Sequence, residues 1–207
     1  NCIIDDGACC EASLQEIIRR YYSARCDKRQ GTGDGEVVYK IELLMNRAGI
    51  KPEDRPVVTA CMARAGETGM PAAAISLPDG RVVTGKTTPL LGAAAAALLN
   101  ALKELGGIQK NIHLISPIII EPIQKLKTQH LDSRNPRLHT DEILIALSIC
   151  AATNPTAELA MRQLKKLRGC EAHASVILSH VDETVFRKLG VNLTCEPTYQ
   201  TNRLYHK

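Results

Sequence analysis

The chain reads as an α/β domain with a mixed, largely parallel sheet, an early β-hairpin, helices on both faces and an N-terminal helical hairpin. Three observations give this reading. Short apolar runs are separated by helical patterns of ten or more residues, and such crossovers imply parallel neighbours covered on both sides. Asp79-Gly80 sits between two strand-like runs, Ala72 to Leu77 and Arg81 to Thr84, which is a hairpin signal and makes the sheet mixed. The alanine- and leucine-rich stretch that follows is apolar on every face, so it must be buried on every face.

The totals set outer limits. A chain of 207 residues allows one large domain, or one with a small appendage. Residues 1–55 read as an N-terminal helical segment and 56–207 as the α/β domain. With one Phe and no Trp the core is aliphatic. A net charge of +4 and few aromatics argue against a nucleic-acid partner. No run approaches the ~18 apolar residues of a membrane span. No signal peptide can be made out either. The eight cysteines are scattered, with no Cys-x-x-Cys pair, which points to free thiols in a reducing cytoplasm. The first residue is Asn1, so a fragment is expected.

In chain order, Glu11 to Asp27 is a helix with Leu14, Ile17, Ile18 and Tyr21 as its apolar stripe. Gly31 to Gly35 is a linker. Val37, Val38, Ile41, Leu44, Met45 and Ala48 mark a second helix, closed by Gly49. The two are expected to pack as a hairpin, on the main body or on a missing neighbour. Lys51 to Pro56 reads as a turn, Val57 to Thr59 as a short strand and Ala63 to Gly69 as an exposed loop. After the hairpin, Gly85 to Pro89 feeds the apolar helix that ends at Leu105. Ile112 to Ile115 reads as a strand. Ser116-Pro117 opens a helix that kinks or restarts at Pro122 and reaches about His130. A polar loop, 131–138, leads to a helix over Asp141 to Ala152. Asn154-Pro155 opens another, which runs to Leu167 and stops at Gly169. Ala174 to Leu178 is a strand, Asp182 to Leu189 a helix, Val191 to Thr194 a last strand, and the tail from Pro197 is polar.

Chemistry has a few candidate seats. Gly80 to Thr87 matches the phosphate-loop spacing G-x-x-x-x-G-K-[ST], yet its first half has hairpin and strand character, so a true nucleotide loop fits poorly. The weaker expectation is an anion site. Thr84, Gly85, Lys86, Thr87 and Thr88 would precede a helix N-terminus, whose free N–H groups favour negative charge. Thr88-Pro89, Ser116-Pro117 and Asn154-Pro155 share one grammar, and if these helix starts converge they form a polar pocket. The alternative is three ordinary caps at unrelated places. Cys170 and His173 have a Cys-x-x-His spacing, but zinc needs two further ligands and no second pair exists, so no metal is expected. Glu171 and His173 alternate toward one face and form a candidate acid/base pair, with strand-start hydrogen bonding as the plainer reading. Arg137, His139 and Asp141 surround a helix start and could grip a carboxylate or phosphate, or simply be solvated.

The blocks LPDGRVVTGKTTPLLGAAAAALLNALK, NPRLHTDEILIALSICAATNPTAELA and GCEAHASVILS, with HLISP, EPIQKLK and RKLGVNLTCEP, resemble the carboxyl-terminal half of the bacterial uncharacterised protein family 0371. CIIDDGACCEASLQEIIRRYY is similar to the segment leading into it. The resemblance implies a chain lacking its amino-terminal half, with that half as partner. If a nucleotide cofactor is bound, its main loop would lie there. The family's recurrent polar positions fall on Thr84, Lys86, Ser116, Arg137, Asn154, Glu171 and His173. The resulting expectation is the substrate-binding or catalytic-partner half of an enzyme for an anionic, perhaps phosphorylated, small molecule. The alternative is a non-catalytic module for interdomain packing or homo-oligomerisation.

Overall fold

In the computed structural model, which describes residues 4–200, eight α-helices and four strands form a mixed α/β fold. Cys2 and the end of the polar tail, 201–207, lie outside the described residues. Helix α1 (Asp6–Gln30) is capped by Asp5 and stopped by Gly31, whose left-handed backbone suits glycine. Helix α2 (Gly35–Ala48) is capped by Asp34 and closed by Gly49. The two pack as the expected hairpin, and Ile18, Tyr22 and Met45 gather with Val58 in a small core of their own.

Residues 56–69 depart from expectation. Val57 to Thr59 is not a strand and Ala63 to Gly69 is not a loop; both belong to helix α3 (Pro56–Thr68), with proline at its first turn. The β-branched Val57, Val58 and Thr59 suggest a strand locally. Packing overrides them: Val57 and Cys61, one helical turn apart, are buried on Ala72 and Ala74 of β1 (Ala72–Ser76). Alanine on that face lets the helix come close.

The sheet order is β2-β1-β3-β4, with β2 at Val82–Lys86, β3 at Glu171–Ala174 and β4 at Asn192–Cys195. β1 is antiparallel to both β2 and β3, and only β3 and β4 run parallel. The sheet is mixed, but its parallel share is smaller than expected. The physical reason is the missing crossover strand: residues 112–115 form no strand, although Leu114 and Ile115 are buried in the main core. The chain from β2 to β3 is one helical block instead. It holds α4 (Ala93–Leu105), α5 (Pro117–Lys125), α6 (Thr140–Ala151) and α7 (Pro155–Arg162). α5 passes through Pro122 and ends in a π-helical turn over Leu126–His130. β3 ends at Ala174, where the expected strand over Ala174 to Leu178 would begin, and residues 175–178 form no strand; its polar Glu171 and His173 hide it from an apolar pattern. Helix α8 (His180–Leu189) links it to β4.

Helices cover both faces. Ala72 and Ala74 of β1 meet α3, while Ala73 and Ile75 join α4 in the main core. α4 is sealed as its composition demands, with Ala95, Ala97, Leu98, Ala101 and Leu102 fully buried.

Candidate functional site

The expected anion loop is not a loop. Thr84, Gly85 and Lys86 lie inside β2, and α4 begins only at Ala93, after Gly92. A Cβ on Gly85 would collide with the backbone N of Ala97, so this glycine lets strand and helix touch. Gly80, at φ 84°, serves the hairpin turn. The phosphate-loop spacing is therefore split between a turn and a strand. Thr87 is buried, its N–H donating to the Pro71 carbonyl. Thr88 caps a turn and no helix: its Oγ accepts from Leu90 N at 3.3 Å and Leu91 N at 3.0 Å.

The other expected site residues have different surroundings. Asn154 is occupied as the α7 cap, its Oδ1 accepting from Thr156 N at 2.9 Å and Ala157 N at 3.4 Å. Ser116 is exposed before α5 and makes no side-chain cap bond. Lys86 is half-buried on edge strand β2, with no ion pair among the described residues. Lys86 and His173 do face the same side of the sheet. However, β1 separates their strands, roughly 10 Å apart, and α3 covers that side.

Glu171 and His173 share a face but no proton path. Glu171 is held by Arg55, by Arg19 Nη1 at 3.0 Å and by Asn192 Nδ2 at 2.8 Å. Arg55 is fully buried and also donates to the carbonyls of Ala172 at 3.0 Å and Asn192 at 2.7 Å. His173 is fully buried, with Nδ1 2.8 Å from Thr194 Oγ1 and Nε2 3.3 Å from Glu196. The Tyr22 ring lies 4.8 Å from its ring. Burial lowers the His173 pKa against the pull of Glu196. These groups fasten α1 to β3 and β4, and His173 among them is closed to a dissolved substrate. Cys170 precedes β3 and joins the main core, a cluster that does not include His173. Among the described residues no cluster of three or more His, Cys, Asp or Glu could hold a metal.

A different group of side chains does converge, where α6 and α8 begin. His139 is the residue before α6, with an extended backbone, and its Nδ1 lies 2.9 Å from Asp182 Oδ2. Asp182 is buried in the first turn of α8 and is fully engaged. Its Oδ1 accepts from the N and Oγ1 of Thr140, both at 2.9 Å, and its Oδ2 accepts from Ser179 Oγ at 2.8 Å. The amino end of α6 thus receives its negative charge from within the protein. Burial alone would raise the Asp182 pKa, but the bond from His139 and those from Thr140 and Ser179 outweigh it and hold the group below the usual range. The same bond to Asp182 raises the His139 pKa against burial and the nearby Lys127.

With Asp182 accepting, Nδ1 carries the proton, and Nε2 faces Asn135 Nδ2 at 3.3 Å. The His139 side chain stays 25% exposed, unlike His173. Its mount is rigid. Glu142 Oε2 accepts from His139 N at 2.8 Å and from Lys127 Nζ at 2.8 Å, while Lys127 also reaches the Arg137 carbonyl at 2.7 Å. Lys127 is delivered by the π-helical turn, a distortion frequent beside working sites. Arg137 spends Nε on the Thr88 carbonyl at 3.0 Å, and its Nη groups make no hydrogen bond among the described residues. Leu138, between Arg137 and His139, bridges to Leu91 and so ties this stretch to the turn that Thr88 caps. Arg137 and Thr88 are the expected site residues brought together here. Asp182, Ser179, Asn135, Lys127 and Glu142 were not singled out. Ser179-Xaa-Xaa-Asp182 before an apolar run carries a capping signal that would have found the carboxylate.

Fold and cluster together define the class: a mixed α/β protein carrying a carboxylate-oriented histidine at the meeting of two helix starts. Residues 53–205 match the model described as domain of unknown function DUF1846, C-terminal, and residues 1–49 match its N-terminal counterpart. The chain belongs to this family. The match is not confined to the carboxyl-terminal domain, since α1 and α2 fall under the N-terminal model. The UPF0371 protein CE2832 of Corynebacterium efficiens is 57% identical over 99% of this chain and 41% of its own length. A UPF0371 protein of Streptococcus thermophilus is 54% identical over 99% of the chain and 42% of its own. One of Corynebacterium urealyticum is 51% identical over the whole chain and 42% of its own. The chain thus spans about two-fifths of the length of these curated relatives. Among the described residues no helix is long and apolar enough to cross a membrane.

Proposed function

We propose that this chain supplies the substrate-binding and proton-transferring part of an enzyme acting on an anionic small molecule. His139 is the proton carrier and Arg137 the anion grip. The observation that carries this reading is the tether of the partly exposed His139, through Nδ1, to buried Asp182, with Nε2 beside the Asn135 amide. A carboxylate on one ring nitrogen fixes the tautomer and aims the other at a reacting group, as general acid–base catalysis requires. The unpaired guanidinium nitrogens of Arg137 suit a carboxylate or phosphate, which they can grip in a fork.

The test is a thermal-shift screen of phosphorylated and carboxylated metabolites against the native chain, Arg137→Ala and His139→Gln. A ligand at a hundred times its Kd stabilises by roughly 2.7 kcal/mol. The expected result is a shift in the native protein, strongly reduced in Arg137→Ala and retained in part by His139→Gln. Equal shifts in all three proteins would remove both residues from the site.

A further inference from the structure

The second helix has more apolar surface than the described residues cover. Met45 is buried against α1 and Val38 is buried too, but Val37 and Leu44, seven residues apart on the neighbouring line, remain 48% and 47% exposed. With Ile17 and Ile41 they line an open groove of about 480 Å³ between α1 and α2. Glu16, Arg20 and Asp27 form a charged rim around it. An apolar floor inside a charged rim is the anatomy of a packing interface.

We propose that this groove is the seat of the remainder of the DUF1846 N-terminal domain, whose apolar face packs on Val37, Ile41 and Leu44. Two observations select this occupant over a second copy of the chain. The N-terminal family model matches residues 1–49, and these hold only α1 and α2, a helical pair too small to enclose a core. The relatives extend well past the match, which covers 41% of the Corynebacterium efficiens protein. The side of α1 carrying Arg19 and Tyr22 is already taken by β3 and β4, through Glu171 and His173. The groove is the face of the hairpin left for its own domain. The interface is independent of the His139 site, so failure of either reading leaves the other standing.

The experiment compares the 207-residue chain with the whole Corynebacterium efficiens relative. Glutamate replaces Val37 and Leu44 in the first (Val37→Glu with Leu44→Glu) and the aligned residues in the second. Exposed positions tolerate the change, so the Tm of the chain should stay within about 2 °C, while the relative should lose about 5 °C or more. Hydrogen exchange on the unsubstituted proteins provides the second measurement, with α2 amides expected to exchange about tenfold more slowly in the relative. Equal Tm losses or equal α2 exchange in the two proteins would overturn the proposal. So would a dimer of the 207-residue chain, seen by sedimentation, that the glutamate pair dissociates, because the occupant would then be a second copy.

Discussion

Two histidines, His139 before α6 and His173 in β3, lie in surroundings that drive them apart in character. His173 is fully buried under the Tyr22 ring, and burial lowers its pKa. His139 is tied to a carboxylate, keeps a quarter of its side chain in solvent, and is raised. Both have a carboxylate neighbour: Glu196 at 3.3 Å for His173 and Asp182 at 2.9 Å for His139. A carboxylate nearby is therefore not what sets the two histidines apart. Desolvation decides, because it penalises the charged form wherever water is excluded. One cluster locks helices to the sheet; the other holds a partly exposed ring between two helix starts.

The comparison can be broken most forcefully on the sealed side. Arg55→Ala removes the buried partner of Glu171 and leaves two carbonyls without their donor. The expected loss is about 3 kcal/mol, since Glu171 keeps Arg19 and is itself partly solvated. Chemical denaturation measures it, and a loss below about 1 kcal/mol would mean that this network does not hold α1 to the sheet.

On the open side, Asp182→Asn removes the charge that raises His139 and weakens the ties to Thr140. The expected cost is about 1–3 kcal/mol, with the His139 pKa moving back toward its ordinary 6.5. NMR titration of the ring protons reads this directly, and an unmoved His139 pKa would dissolve the dyad.

The pH dependence sharpens the contrast through its sign. His139 has a folded pKa above the unfolded 6.5, so its contribution is fully present below 6.5 and is lost as pH rises through the folded value. His173 has a folded pKa below 6.5, so its contribution is present above 6.5 and is lost as pH falls through the folded value. Urea melts between about pH 5 and 8, on native protein, His139→Gln and His173→Gln, should therefore show difference curves of opposite slope. Parallel curves would show that the two environments do not differ as described. The smallest effect belongs to Lys86→Ala, expected within about 0.5 kcal/mol and without influence on ligand-induced shifts, since Lys86 stands on an edge strand and makes no side-chain bond to the His139 cluster among the described residues. A lost ligand shift in that variant would restore the strand as part of the site.

Local grammar was legible where the relevant forces are local. Asp79-Gly80, the caps at Asn154 and Gly49, and the all-apolar Ala93–Leu105 helix follow from turn chemistry, capping and burial that a few neighbouring residues specify. It failed where the deciding partner lies far along the chain. Val57 to Thr59 looks like a strand until Ala72 and Ala74 offer a helix a flat seat. Lys86 and Thr87 look like a phosphate loop until Gly85 is pressed against Ala97. Arg137 and His139 were visible as a polar group at a helix start, but nothing nearby in sequence names Asp182, forty-three residues away from His139, as the charge that aims the ring.

By itself the sequence determined the class of fold, the helical hairpin at the front and the membership of a family. These rest on periodicity, capping and residue-by-residue likeness, all carried within short windows. The tertiary structure alone decided which histidine is sealed and which is open, because exposure and the pairing of charges depend on how α1, α6 and α8 are brought against β3 and β4. Desolvation is a property of the assembled interior, and no stretch of chain possesses it before folding.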